Sequence, residues 1–474
     1  MKSVELPLAN ATATPSHITE EFYYQIPEMK LHRSYPVYHP DEEPSGYFEK
    51  LLTTAPEIVW DSEQHPPLES EADWVAAGEL IFEMPIAFGT GRLLPSMDEN
   101  LFVRDAKWYA DNVIPRTREG VNPFFRYVIR EKGKVEVGVL SCAMCHTRVM
   151  NDGFAVKGAQ GNFPFSRVYA SQMLEQGAIP DAVRGLEKNL YGAPWVSPDP
   201  QEGLWSMPIA DLAAAHASVP SGVVARHRSS PHSPVIVPDL FGLQSRDYLD
   251  RTGLQHHRGI QDLMRYVALN QGMDGLSQFD DFVPAGEEFS KRPEPAAYFF
   301  GRYSDEQLYA LAKYVYSLKP PANPHAFDDL AERGQKVFTS KGCASCHQPD
   351  KEYGSDRLVA APGFEVPANH PEKSRVMSRR VNTDPTLTLT TRRGTGFYKI
   401  PSLRSVWLRG PFEHNGSVAT LEDWFNPNRL EDDYVPTGWK GPPGTKSRAV
   451  KGHPFGLQLE PDEKTALIAF LKSL

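Results

Sequence analysis

Cys142-Ala143-Met144-Cys145-His146 and Cys343-Ala344-Ser345-Cys346-His347 hold all four cysteines of this 474-residue chain. No thiol is left over for a disulfide or a separate nucleophile. Spacing discriminates between the chemistries open to such motifs. A zinc ribbon sets its two Cys-x-x-Cys pairs about 15–20 residues apart, whereas these lie on the order of ten times farther apart. A thioredoxin-like redox pair needs no histidine after each copy. Cys-x-x-Cys-His is the covalent clamp for haem: each thiol adds to one vinyl group, and the histidine beneath the ring becomes the proximal iron ligand. The expected cofactors are therefore two covalently bound haem c groups. Cys142, Cys145 and His146 hold the first, and Cys343, Cys346 and His347 the second.

Working outward, each clamp sits inside one copy of an internal repeat. Ala331-Glu332-Arg333-Gly334-Gln335-Lys336-Val337-Phe338 has helical spacing, with a glycine four residues before an aromatic. Trp74-Val75-Ala76-Ala77-Gly78-Glu79-Leu80-Ile81-Phe82 repeats the pattern. A glycine so placed suits a helix that crosses another at close range. Closing helices are predicted from Ser304-Asp305-Glu306-Gln307 and from Pro461-Asp462-Glu463-Lys464, where a cap or proline precedes acidic residues. An opening helix, a clamp, a variable middle and a closing helix form a cytochrome c layout. The expected fold is mainly α: an N-terminal wrapping arm over 1–67, a first cytochrome c-like domain over 68–320, and a second over 325–474. Lys319-Pro320-Pro321-Ala322-Asn323-Pro324 is the hinge. The 42 prolines, beside plentiful aromatics, predict long ordered loops. The first half is elaborated, and its insertions over 163–241 are read as extra walls over the first haem.

The formal charge of −10 disfavours nucleic acid as a partner, and the basic clusters Ser378-Arg379-Arg380 and Thr391-Arg392-Arg393 are short. No apolar run approaches the roughly eighteen residues of a membrane span. Met1-Lys2-Ser3-Val4-Glu5-Leu6-Pro7 lacks the apolar core of an export signal.

The two halves differ in the loop before the closing helix, where a distal iron ligand is expected. The second half offers His453 in Lys451-Gly452-His453-Pro454-Phe455-Gly456, and a neutral imidazole is a good iron ligand. The first-half loop, Ser290-Lys291-Arg292-Pro293-Glu294-Pro295-Ala296-Ala297-Tyr298-Phe299-Phe300, has neither histidine nor methionine. A closed iron only passes electrons, while an open one binds peroxide or dioxygen. The asymmetry therefore points to catalysis at the first haem. Other first-half candidates are His256, His257, Met264 and Met273. Of these, His257 in Gly253-Leu254-Gln255-His256-His257-Arg258-Gly259 is read as the residue lining the distal pocket.

Tyr398-Lys399-Ile400-Pro401-Ser402-Leu403-Arg404, then Gly410-Pro411-Phe412-Glu413-His414-Asn415-Gly416-Ser417 and Thr420-Leu421-Glu422, resembles the signature of the bacterial dihaem cytochrome c peroxidases and the related MauG-type enzymes. The resemblance covers 325–474 and, more loosely, the first half from Trp74. It implies two cytochrome c-like domains face to face, the N-terminal haem acting on hydrogen peroxide or dioxygen and the C-terminal haem supplying electrons. It places His414 beside the C-terminal haem without ligating iron. Arg404 is read as the partner of a haem propionate, because guanidinium suits a carboxylate bidentately.

His453 departs from the His-Met and His-Tyr sites of that family and resembles the bis-histidine haem of rubber-cleaving dihaem oxygenases. A counterpart of the peroxidases' distal glutamate is not identified. Their interdomain calcium has no dedicated acidic loop here, so calcium is left open. Trp195, Trp205 and Trp407 are the interhaem aromatic candidates. The implied partners are peroxide or dioxygen and a small cytochrome or cupredoxin donor. The implied compartment is the periplasm, with the export signal already removed. An oxygenase acting on an apolar substrate and a plain electron carrier are the rival readings.

Overall fold

Gly78 and Gly334 mark the places where the chain crosses itself most tightly. In the computed structural model, which describes the chain apart from residues 1–4, 11, 14, 91–92, 94–100, 176–178, 197–198, 226–228, 285–300 and 447, the helix Glu71–Glu83 packs on Asp305–Ser317, and Asp329–Ser340 packs on Pro461–Ser473. A Cβ at Gly78 would lie 2.0 Å from the backbone oxygen of Ala310, and one at Gly334 would lie 1.9 Å from that of Ala466. No side chain fits there, so glycine is what lets the backbones touch. An aromatic pair follows each crossing: Phe82 and Tyr314 with ring centroids 5.2 Å apart, Phe338 and Phe470 at 5.3 Å.

The helix ends are set as the local sequence dictates. Ser304 and Gln307 form a reciprocal capping box, as do Ser70 and Asp73. Glu460 and Glu463 do the same ahead of Pro461, whose missing N–H costs nothing at a first helical position. Each pair then buries its own apolar cluster. Ala77, Ile81, Phe82, Leu308, Leu311 and Val315 form the first, and Phe338, Leu467, Phe470 and Leu471 the second. Asn323 in the proline-rich connector donates to the carbonyl of Lys472 at 2.9 Å, which ties that connector to the last helix.

Helix is the largest regular component, at 37% against 15% strand, so the mainly α expectation applies to the helix pairs rather than to the whole chain. Much of the strand belongs to the first half. There Val121–Glu131 pairs with Ser34–Tyr38 on one side and Lys134–Gly138 on the other in an antiparallel sheet. Aromatic and β-branched residues such as Phe125, Tyr127, Val128 and Ile129 favour a pleated, half-buried surface and account for it. The N-terminal residues run across this half: Pro15–Ser16 pairs with Gln278–Phe279, and Tyr23, Ile26, Leu31 and Trp60 enter the first helical core. Among the described residues no helix is long and apolar enough to cross a membrane.

Gly334→Ala is expected to lower unfolding stability by about 1–3 kcal/mol through overpacking. The neighbouring surface change Gln335→Ala is expected to leave it within about 0.5 kcal/mol. Thermal or denaturant unfolding of the two variants checks this.

Candidate haem sites and the cavity between them

The first clamp is a short helix, Cys142–His146, opened by Ser141, whose hydroxyl accepts from the Met144 amide at 3.1 Å. The chain then turns into a hairpin, Thr147–Val149 against Ala155–Lys157, and the Gly158 amide donates back to the His146 carbonyl. His146 is enclosed, and burial lowers its pKa to about 4 against the opposing carbonyl of Pro238 and charge of Asp239. Its Nδ1 lies 3.0 Å from the Pro238 oxygen. A proton held there leaves Nε2 as the lone pair available to a metal.

The second clamp follows Gly342, whose left-handed backbone (φ +76°) turns the chain out of the preceding helix. His347 is again buried, with its pKa lowered by burial and with Nδ1 3.1 Å from the Tyr353 oxygen. Across from it stands His453, the two ring centroids 6.5 Å apart. Metal–imidazole bonds are about 2 Å long and a ring centroid lies about 1 Å behind its nitrogen, so one ion between two rings spaces them by about 6 Å. The two imidazoles therefore fit the axial positions of a single haem iron. His453 Nδ1 is buried without a hydrogen-bond partner, and burial, with His347 and Arg429 nearby, lowers its pKa to about 3. The ring is neutral, as a ligand must be.

Arg429, which sequence reasoning missed, sets the position of His453. Its buried guanidinium donates to the carbonyls of Trp424, Val450, Gly452 and His453 at 2.7–3.0 Å. His453 itself is left-handed (φ +44°), a strained setting for a residue with a Cβ. Its amide is tied to Val381 and its carbonyl to Arg429. Nothing in the local sequence separates Arg429 from a surface arginine.

One cavity holds Cys343, Cys346, His347 and His453 in its wall and continues to Pro238 and Asp239, beside His146. His414 lines it, packed on Tyr398 at 4.9 Å and paired through Nδ1 with the carboxylate of Glu413. Burial raises the Glu413 pKa, but the charge and hydrogen bonds of His414, with a hydrogen bond from Thr383, bring it down to about 2. Arg404 is elsewhere: it is half exposed, pairs with Glu352 at 3.4 Å, and is not in the cavity wall. Among the cations that do line the cavity is Arg409, ion-paired to Asp239 at 3.0 Å and donating to the Ser402 carbonyl at 2.6 Å. His347 also hydrogen-bonds the backbone of Pro401. A continuous polar path thus joins the two proximal histidines: His146, Pro238, Asp239, Arg409, Ser402, Pro401, His347.

His257 has both ring nitrogens engaged, Nδ1 with the Arg246 carbonyl at 2.7 Å and Nε2 with the Tyr316 hydroxyl at 2.6 Å. His256 pairs with Glu372 at 3.0 Å. His257 is thus held in place by two hydrogen bonds, and His256 stands against a carboxylate. The crossing register that aligns Ala310 with Ala466 maps His453 onto Ala297 in sequence, and the loop from Ser290 to Phe300 lies outside the described residues. Of the three tryptophans, Trp407 packs with Phe241, Val156 and Leu408, and so touches both halves. Trp195 stacks on Phe279, and Trp205 joins a cluster in the first half. No group of three or more His, Cys, Asp or Glu that could hold a bare metal ion occurs among the described residues.

Arg429→Gln would leave buried carbonyls around His453 unpaired. It is expected to cost about 2–4 kcal/mol, on the scale of one or two lost buried hydrogen bonds, and to loosen the second site before the first. Thermal unfolding, with the haem absorbance followed alongside, reads both effects.

No family model matches the chain. It is 30% identical over 168 residues to the methylamine utilization protein MauG of Paracoccus denitrificans (strain Pd 1222), covering 31% of this chain and 43% of that protein. It is 30% identical over 167 residues to the cytochrome-c peroxidase IdrP1 of Pseudomonas sp. (strain SCT), covering 32% and 41%. The match thus spans less than half the length of each relative. Solved structures that align include a MauG-like protein associated with microbial copper homeostasis (TM-score 0.29, 16% identity, 51% of this chain and 73% of that one). The diheme peroxidase BthA from Burkholderia thailandensis E264 aligns with TM-score 0.21 at 16% identity, over 52% and 68%. Over the matched stretches the chain is thus similar to a MauG protein and to a cytochrome-c peroxidase.

Proposed function

We propose that the chain is a dihaem redox enzyme that reduces hydrogen peroxide at a first haem held by Cys142, Cys145 and His146. Electrons come through a second haem held by Cys343, Cys346, His347 and His453. The observation that carries this reading is the facing of His347 and His453 at 6.5 Å, set against a first half whose corresponding sequence has no histidine or methionine. A site closed on both sides suits electron transfer, and the catalytic role falls to the other. Haem iron would supply the redox chemistry, and His146, His347 and His453 would hold it as neutral imidazoles. His146 is kept neutral by burial and oriented by the Pro238 carbonyl. The Asp239–Arg409 pair continues that contact towards His347.

By the same family reading the protein works in the periplasm and takes electrons from a small cytochrome or cupredoxin. A second reading, a dihaem oxygenase that uses dioxygen on an apolar organic substrate, is favoured by the histidine pair itself, since bis-histidine second haems resemble those of such enzymes.

Low-temperature electron paramagnetic resonance of the resting ferric protein is expected to show one high-spin and one low-spin centre. Two low-spin centres would move the reading to an electron carrier or to an enzyme opened by reduction. His453→Ala is expected to abolish the low-spin signal while haem stoichiometry stays at two. His257→Ala is expected to leave both signals, and peroxide turnover within about twofold, because its ring contacts are internal hydrogen bonds. A turnover loss of tenfold or more would return His257 to the distal pocket. Consumption of peroxide without dioxygen, measured with the donor supplied, separates the peroxidase from the oxygenase.

A further inference from the structure

The cavity wall between the two clamps carries more buried positive charge than the protein neutralises. Arg246, Arg251, Lys399 and Arg409 are among the cations that line it, and Asp239, Asp247, Glu352 and Glu413 are its carboxylates. These carboxylates are already committed. Asp239 takes Arg246 at 2.6 Å and Arg409 at 3.0 Å, Glu413 is held by His414 and Thr383, Asp247 faces Arg375 at 3.8 Å and Glu352 faces Arg404 at 3.4 Å. Arg246 also donates to the carbonyls of Asp239 and Phe241, and Arg409 to those of Ser402 and Arg404. Arg251 and Lys399 form no direct ion pair among the described residues, and Asp239, Asp250 and Glu413 act on them only from a distance.

Lys399 donates to the carbonyls of Tyr248 and Leu249 at 3.0 and 3.2 Å, which are neutral partners. The Arg251 side chain has no hydrogen bond among the described residues. It is deep enough for burial to bring its pKa down to about 10, with Arg409 adding to the fall. Yet it keeps accessible surface, which it turns to the cavity. Lys399 is driven further, to about 7, by burial and then by Arg246 and Arg251. Two such cations side by side, away from water, cost several kcal/mol unless an anion joins them.

We propose that Arg251 and Lys399 form the dock for the carboxylate (propionate) side chains of the haem held by Cys343 and Cys346. The inference rests on the dihaem reading above. The required ligand must bring carboxylate charge into a wall that also contains Cys343, Cys346, His347 and His453, and the second haem does so from within the same cavity. Guanidinium and ammonium then each gain a charged acceptor, and Arg409 and Arg246 remain on Asp239. The dock takes the place of Arg404, which is half exposed and not in the cavity wall. It also explains why a lysine and an arginine from separate segments meet at a point where neither makes a direct ion pair.

The test uses the holoprotein. Intact-mass measurement first establishes two covalent haems; a protein without them fails the dihaem reading, not this inference. Arg251→Gln, Lys399→Gln and the charge-keeping Arg251→Lys are then compared by redox titration and by resonance Raman spectroscopy of the low-spin haem. Because the thioethers hold the haem, stoichiometry is expected to stay at two. Each glutamine variant is expected to lower the midpoint potential of the low-spin haem and to shift its propionate bending bands. Arg251→Lys is expected to restore most of both, and if Arg251→Gln does not fold, Lys399→Gln carries the test. Unchanged propionate bands in the glutamine variants would overturn the dock, even if the potential moved through simple loss of nearby charge. Changes confined to the high-spin haem would overturn it as well, by assigning the cations to the first site.

Discussion

The close crossing of two helix pairs is the constraint on which the rest of this molecule is built. At Gly78 over Ala310 and at Gly334 over Ala466, backbone meets backbone with no room for a methyl group. Dispersion contacts at that distance fix the crossing and bring an aromatic pair together beyond it. Each clamp is set relative to such a crossing. Cys142–His146 lies against Glu71–Glu83, and the turn at Cys343–Ser345 follows directly from Asp329–Ser340. A clamp residue displaced by a fraction of an ångström would no longer aim its imidazole at the intended point. The rigidity of the crossing is thus a requirement of the chemistry as much as of the fold.

Upon this frame the junction between the halves combines apolar clusters, such as Val156 and Phe241 with Leu408, with a polar seam. Gln160 donates to the carbonyl of Pro411 and accepts from the Gly410 amide, and Arg148 reaches the Gly410 carbonyl, so the signature stretch is pinned to the first half by hydrogen bonds. The charged groups behind it are deep. Burial keeps His146, His347 and His453 neutral while leaving Arg409 and Asp239 paired. Neutral imidazole beside compensated charge is the arrangement that metal ligation needs, because a protonated ring has no lone pair to give. The polar path from Pro238 to Pro401 touches both clamp histidines, His146 at one end and His347 at the other.

The first half shows how an insertion is absorbed without loss of the underlying pair. Some sixty residues separate Gly78 from Cys142, and they supply two strands of a three-stranded sheet, completed by Ser34–Tyr38, and most of an aromatic core of Phe102, Trp108, Phe125 and the later Phe163. The segment after the clamp adds a second set of helices around a buried Tyr169–Glu187–His216 network. That carboxylate is fully enclosed and is tolerated because a phenol and an imidazole satisfy it. Met144 of the first clamp is part of the same aromatic core as Phe125.

From sequence alone came whatever depends on local covalent chemistry and short-range pattern. The two clamps follow from cysteine spacing, the opening and closing helices from glycine, aromatic and capping positions, and the family from the stretch around Tyr398 and His414. His453 was legible as a candidate because it occupies a recognisable place before the last helix. The sheet was not, since its strands come from residues far apart in the chain and none alternates cleanly. Nor was Arg429, whose function is to collect four carbonyls that only folding brings within reach. Arg404 was read from its motif, while the proposed dock rests on Arg251 and Lys399, which only folding brings together in one cavity wall. The facing of His347 and His453 is likewise tertiary: more than a hundred residues separate them, and the second helix crossing, with Arg429, sets the distance between their rings.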